Sequence, residues 1–230
     1  MPFSYVIEHM EEDDLSSKTI PRWVELEYKH MQDLAGPQSE VHFTHLSQRS
    51  CETLQTLFSP TPTSLSSVPV DDAPPTKGKA KGYAHPEGVL ELMKSKYVPI
   101  EKVCLLDPKA TEELSPKDGD GRFEWFLFGG ILGDDPPRDR TSELRVLGFP
   151  GRHLGPVQMT TDTALGVTKI VVEDKIKLGD IKFINFPTIR FNAKESVEMP
   201  FRYIANGEEP ILPPGMREHL HEDLNQSFEF

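Results

Sequence analysis

The chain alternates short apolar runs with amphipathic or polar stretches, a pattern that predicts strand and helix in turn. Phe3 to Ile7 is a brief β-rich run ending at EHMEEDD, so it reads as a buried strand that delivers Glu8, His9 and Glu11 to its carboxyl end. After Thr19 and Pro21, Val24, Tyr28, Met31 and Ala35 recur at helical spacing, and Gly36-Pro37 supplies the stop. A strand over Val41 to Leu46 then completes a strand-helix-strand unit of the kind that builds parallel sheets. A helix is predicted over Gly88 to Lys96. A strand follows over Val103 to Pro108 and runs into a turn at Asp107-Pro108. WFLFGGIL, Trp125 to Leu132, is the most apolar run and reads as a central strand feeding the loop GDDPPRDR. A polar helix is expected over Thr141 to Leu147, and a very short strand and a loop within RHLGPVQMTTD. Ala164, Val167 and Val171 mark one face of a helix starting near Thr160 or Thr161, with Asp162 complementing its dipole. A last strand, Ile181 to Phe186, precedes a Pro-rich tail read as irregular.

Composition changes this picture in one place. The 21 prolines of the 230 residues cluster, and the segment from Ser59 to Tyr83 is rich in Pro, Ser, Thr and Lys with little to bury. The expectation is one α/β domain over residues 1–230 carrying a disordered insert at about 59–83. The net charge of −12 repels phosphate backbones and attracts basic partners, which argues against extended nucleic-acid binding. Neither Cys51 nor Cys104 has metal-ligand spacing, so no metal site is expected and a reducing, cytoplasmic location fits. No apolar stretch approaches a membrane span and no signal sequence is evident, so no membrane partner is expected.

Candidate chemistry collects in three loops, Asp107 to Ala110, Gly129 to Arg140 and Leu154 to Thr161. Each follows a strand, and in a parallel sheet all three open on the carboxyl-end face where ligands of α/β sheets bind. Glycines 129, 130 and 133 permit close backbone approach to a ligand. Their spacing is not G-x-G-x-x-G, and Pro136-Pro137 prevent a long helix from starting there, so a nicotinamide cofactor is not expected. DDPPRDR sets Asp134, Asp135 and Asp139 beside Arg138 and Arg140, which suits either a self-neutralising surface loop or a site for a charged substrate. No nucleophile motif surrounds any Ser, Cys or His, and His153 reads as a loop histidine.

The stretches IEHMEE, CLLDPKA, FGGILGDDPPRDRTSELR, QMTTDTA and MPFRY closely resemble the fungal SPOUT-class protein arginine methyltransferases that modify a small-subunit ribosomal protein. The likeness runs from Tyr5 to Pro214, with the segment from Cys51 to Tyr83 departing from it. It implies a Rossmann-like parallel sheet with a C-terminal deep trefoil knot built from the three loops, a rare exception to the rule against threaded chains. It also implies a bent S-adenosyl-L-methionine held by Leu106, Asp107, Phe128, Gly129, Gly130, Gly133, Leu154, Gly155, Met159, Thr160 and Thr161, in a monomeric enzyme. Arginine is a poor nucleophile while protonated and needs carboxylates to orient it and take a proton. Glu8, Glu11, Asp134 and Asp139 are the expected acidic pocket, although Glu11 also belongs to a solvated acidic run with Glu12, Asp13 and Asp14. Two other readings stand beside this one: a SPOUT methyltransferase acting on rRNA or tRNA, which the charge disfavours, and a catalytically inactive adaptor for a ribosomal protein.

Overall fold

The computed structural model describes residues 2–10, 12–59, 78–130, 139 and 141–226, with the side chains of 225 and 226 left aside. Its first part runs β1 (Ser4–Glu8), α1 (Arg22–Ala35), β2 (Glu40–Thr44), α2 (Gln48–Phe58), β3 (Lys81–Ala84), α3 (Val89–Lys96), β4 (Val103–Leu106), β5 (Trp125–Gly129), α4 (Ser142–Arg145), β6 (Gly151–Arg152) and α5 (Thr161–Val172), and all but α2 and β3 follow the hydrophobic pattern. The six strands form one sheet in the order β3-β2-β1-β5-β4-β6, and every neighbouring pair is parallel. This is the expected α/β class. Strand order reverses direction at β1 and β5, so the carboxyl ends there open a crevice. Pairing of Glu8 with Gly129, and of Leu106 with both Phe128 and Arg152, brings four strand ends level.

Alternation along the strands sorts the core into two layers, because successive side chains point to opposite faces. Tyr5, Ile7, Phe43, Cys104, Leu106, Phe126 and Phe128 join Tyr28 and Met31 of α1 and Leu165, Val167 and Val171 of α5. Val6, Leu105, Trp125 and Leu127 meet Val89 and Leu92 of α3 on the other face. Tyr28 stacks on Phe43 with ring centroids 3.9 Å apart, which fixes α1 against β2. Gly166 has no side chain to hold α5 away. A Cβ there would stand 3.2 Å from Leu34 Cδ1 of α1 and Ile204 Cδ1.

One helix was not among the expected elements, and two expectations need correction. The polar stretch around Cys51 is the helix α2, started by the Ser47 side chain accepting from the Ser50 amide, and it buries only Ser50, Cys51 and Leu54. The expected insert ends earlier than Tyr83, because Lys81–Ala84 pair with β2 as the edge strand β3. Residues 60–77 lie outside the described residues. The tail is also not irregular: it forms β7 (Phe183–Asn185), β8 (Thr188–Arg190), β9 (Ser196–Glu198), β10 (Arg202–Asn206), β11 (Glu209–Pro210) and α6 (Met216–Gln226). β11, β10 and β7 make an antiparallel sheet, so the expected last strand belongs to this layer and not to the parallel one. Burial of Ile189, Tyr203, Ile204 and Met216 supplies the apolar area that orders these short strands.

Candidate active site

Beyond the ends of β4, β5 and β6 the three loops enclose a cavity of about 300 Å³. Leu106 and Asp107 from the first loop, Phe128, Gly129 and Asp139 around the second, and Leu154, Gly155, Met159 and Thr161 from the third line it. Pro108, Lys109, Thr141, Pro156, Val157, Gln158 and Ala164 complete the wall. Gly155 sits at φ +91°, a conformation L side chains rarely adopt, and its amide donates to His153 Nδ1 at 3.1 Å. Gly130, at φ +52°, does not line the cavity but ties its parts together. Its amide donates to the Glu8 carbonyl at 2.8 Å, and its carbonyl accepts from Thr161 Oγ1 at 2.7 Å.

An ionic clasp closes one side. Arg145 donates through Nε and Nη2 to the two carboxylate oxygens of Asp107, at 2.5 and 2.6 Å, and reaches Asp139 at 3.1 Å. Lys109 Nζ lies 2.6 Å from Asp139 on its other side. The Arg145 hydrogen bonds, followed by those from Lys109, hold the Asp139 carboxyl down at about 2. A carboxylate so neutralised is a poor proton acceptor, so Asp139 closes the loop rather than offering a free charge. Glu8 is not among the residues lining this cavity: its Oε2 accepts from Thr44 Oγ1 at 2.5 Å and from the Val89 amide at 2.9 Å, anchoring the start of α3. Of the expected acidic group, the described residues Glu8 and Asp139 part company, and Asp139 is the one at the cavity. Glu11, Gly133 and Asp134 lie outside the described residues.

A second cavity, also of about 300 Å³, opens on the other side of the first turn of α5. Thr160 and Asp162 line it, whereas Met159 and Thr161 line the first, so alternate residues at the entry to α5 contribute to the two cavities. Glu27 and Trp23 of α1, Phe201 and Tyr203, and Met216 of α6 surround it, with Glu198, His219 and Asp223 towards the outside. Three buried polar atoms here have no hydrogen-bond partner: Glu27 Oε2, Asp162 Oδ1 and Tyr203 Oη. Asp162 is fixed through its other oxygen, 2.7 Å from His30 Nδ1. Burial, and then the charge of Asp162, pushes the Glu27 carboxyl well up, and burial with both acids raises the Tyr203 hydroxyl. Leaving such an atom unpaired costs about 1–3 kcal/mol, a penalty that a donor entering the cavity removes.

Sequence reasoning thus located the first cavity and passed over the second. Lys109 and Gln158 in the first also went unmarked. Glu27 is hidden inside an amphipathic helix, Asp162 reads as dipole compensation, and Tyr203 falls in the supposed irregular tail. The available signal was MPFRY, which ends on Tyr203 and contains the cavity residues Met199, Pro200 and Phe201.

The family described as protein arginine N-methyltransferase SFM1-like matches residues 4–227. Protein arginine N-methyltransferase SFM1 of Saccharomyces cerevisiae is 40% identical over 230 residues, covering 98% of this chain and 97% of its own. The crystal structure of the yeast arginine methyltransferase SFM1 complexed with SAM is similar with a TM-score of 0.76 and 35% identity, over 97% of this chain and 92% of that one. The complex with SAH gives a TM-score of 0.74 and 35% identity over 94% of each chain.

Proposed function

The chain belongs to the SFM1-like family of protein arginine N-methyltransferases, and from that premise we propose that it methylates an arginine of a small-subunit ribosomal protein with the methyl donor seated in the three-loop cavity. It is a methyltransferase acting on protein arginine, and S-adenosylmethionine is its donor. The observation that carries the placement of the donor is the character of the cavity wall. Leu106, Leu154, Met159 and Ala164 offer apolar surface for a flat base and a thioether, while Gly129 and Gly155 let backbone polar groups approach. Lys109 is the one basic side chain among the lining residues, and Asp139 holds it. That set fits a nucleoside with an amino-acid tail, and among the described residues it leaves no free cation for a pyrophosphate.

When bound, the donor supplies an electrophilic methyl group on a sulfonium. The protein supplies position: the Asp107–Arg145–Asp139–Lys109 clasp fixes the first two loops, and the Thr161–Gly130 hydrogen bond joins the second loop to α5. Of the residues the sequence proposed for the donor, Leu106, Phe128, Gly129, Leu154, Gly155, Met159 and Thr161 make the wall. Asp107 and Gly130 act through the bonds that shape it, and Thr160 faces the neighbouring cavity.

The proposal extends to the partner and its setting. A chain of net charge −12 gains attraction from a basic ribosomal protein and repulsion from RNA. The family resemblance supports a monomer with a trefoil knot threaded through these loops. Two buried, unpaired cysteines, Cys51 and Cys104, suit a reducing compartment such as the cytoplasm. The test is transfer of tritium-labelled methyl from S-adenosylmethionine to separated small-subunit proteins and to rRNA, beside calorimetric titration of the donor. Label in arginine of one protein and none in RNA is the expected result. Label in RNA alone overturns the substrate, and donor affinity unchanged in Gly155→Val overturns the cavity.

A further inference from the structure

Outside the donor cavity, the second cavity combines features that the clasp and the three loops do not explain. Its floor is acidic and shut away from water: Glu27 and Asp162 are 4% and 1% exposed, and each keeps an oxygen without a partner. Tyr203, at 1% exposure, adds a hydroxyl in the same condition. Trp23 and Phe201 give the walls aromatic surface. Among the lining residues there is no lysine or arginine to satisfy the carboxylates, and the histidine, His219, lies 3.4 Å from Asp223 near the mouth. Among the described residues no group of three or more acidic, histidine or cysteine side chains is disposed to hold a metal ion, and what the three unpartnered oxygens call for is a hydrogen-bond donor.

A guanidinium fits these demands better than an ammonium. It is flat, weakly hydrated and forked, so it lies against aromatic walls while presenting N–H groups to two carboxylates at once, whereas an ammonium is a compact, strongly hydrated point charge. The donor cavity lies across the entry to α5, with Met159 and Thr161 lining it and Thr160 and Asp162 lining the acidic one. We infer that this cavity receives the guanidinium of the arginine to be methylated, with Asp162 and Glu27 binding its nitrogens and Tyr203 orienting it. The inference rests on the reading of the three-loop cavity as the donor site.

The residues then divide the work. His30 pins Asp162 through Oδ2 and leaves Oδ1 without a partner, so Asp162 is the fixed grip. During transfer a guanidinium nitrogen gains a bond to the methyl carbon as the carbon–sulfur bond breaks, the electron pair going to sulfur. The nitrogen gives up one proton, and the product is again a cation. Glu27 takes that proton. Its buried position beside Asp162 favours the protonated carboxyl, and an arriving cation favours the carboxylate that must be ready to accept.

Two sets of measurements test this. Agmatine, a guanidinium without a peptide, is titrated into the wild-type protein and the Asp162→Asn, Glu27→Gln and Tyr203→Phe variants, with cadaverine as the ammonium control. Donor affinity and single-turnover methyl transfer are measured separately on the same proteins. Agmatine binding is expected in the wild type, weakened about tenfold or more by loss of either charge, since a charge-assisted hydrogen bond carries at least that factor. Cadaverine is expected to bind far more weakly. Transfer should fall roughly 100-fold in Glu27→Gln, the scale of general-base catalysis, with donor affinity within about twofold of wild type. Tyr203→Phe, which removes one hydroxyl, keeps the test open if a carboxylate variant fails to melt cooperatively; it should lower agmatine affinity while the fold stays intact. Equal agmatine affinity in all folded variants, equal binding of cadaverine, or unaltered transfer in Glu27→Gln each overturns the assignment. Failure of the wild type to bind S-adenosylmethionine sinks the donor reading instead, and agmatine binding reports on the acidic cavity independently of it.

Discussion

Removing Arg145 tests whether the ionic clasp shapes the three-loop cavity in which we place the donor. Asp107 is 4% exposed and receives two parallel hydrogen bonds from Arg145, whose side chain is 30% exposed. Breaking such a pair from one side strands a buried carboxylate, which costs about 3 kcal/mol at the lower end of the range for buried ion pairs. The contact with Asp139 adds little, since pairs between exposed groups contribute about 0–1 kcal/mol. Arg145→Ala should therefore lose about 3 kcal/mol in urea denaturation, and Asp107→Asn/Arg145→Ala much less than the sum of the single changes. A coupling energy of about 2 kcal/mol is expected from the double-mutant cycle. Donor affinity should fall by about tenfold in Arg145→Ala, because Asp107 and Asp139 both line the cavity. A coupling below about 0.5 kcal/mol, or wild-type donor affinity in the single variant, would refute the argument.

Three further outcomes follow from other contacts. In Gly119→Ala the new Cβ would stand 2.1 Å from the Val172 carbonyl oxygen at the end of α5, so a loss of about 2–3 kcal/mol is expected; an unchanged thermal midpoint contradicts the close approach. Burial, and then the charge of His85, pulls His42 down to about 4 from 6.5, so the folded state binds its proton less readily than the unfolded chain. Stability from this residue is complete above pH 6.5 and drains as pH falls towards 4; urea midpoints at acidic and neutral pH should diverge in the wild type and converge in His42→Gln. Methyl transfer to a basic protein substrate should slow as salt rises, because a Debye length of about 10 Å at 0.1 M screens the attraction to a chain of charge −12, and a salt-independent rate contradicts electrostatic steering.

The parallel half was legible because its signals are local. Tyr5, Ile7, Phe126 and Phe128 alternate on strands buried on both faces, and Val24, Tyr28 and Met31 repeat at the period of a helix whose apolar face they form. The loops around the first cavity were legible for the same reason, since each begins where an apolar strand stops. Helix α2 was not, because its sequence QRSCETLQTLF presents a narrow buried side of Ser50, Cys51 and Leu54 and depends on the Ser47 cap. The strands of the tail span two to five residues, too few for alternation to stand out from proline-rich surroundings. The acidic cavity was invisible for a different reason: Glu27, Asp162 and Tyr203 sit far apart in the chain, and each has an ordinary explanation in its own element. Their meeting is a property of tertiary packing between α1, α5 and β10.

The central place of β1 sets the order in which the molecule can be completed as it is synthesised. Ser4 pairs with Glu40 on one side and with Trp125 on the other. The first neighbour is made soon after β1, so the unit β1–α1–β2 can collapse early around Tyr28 and Phe43. The second arrives only after β3, α3 and β4 have been made. Until then the backbone of Tyr5, Val6 and Ile7 presents a row of unpaired N–H and C=O groups, the kind of template that recruits other chains. Non-local pairing of this sort is slow because loop closure must precede any reward from contact. The residues that end at the heart of the sheet are thus the ones a nascent chain exposes longest, and the protein's yield depends on how well that one edge is shielded before β5 emerges.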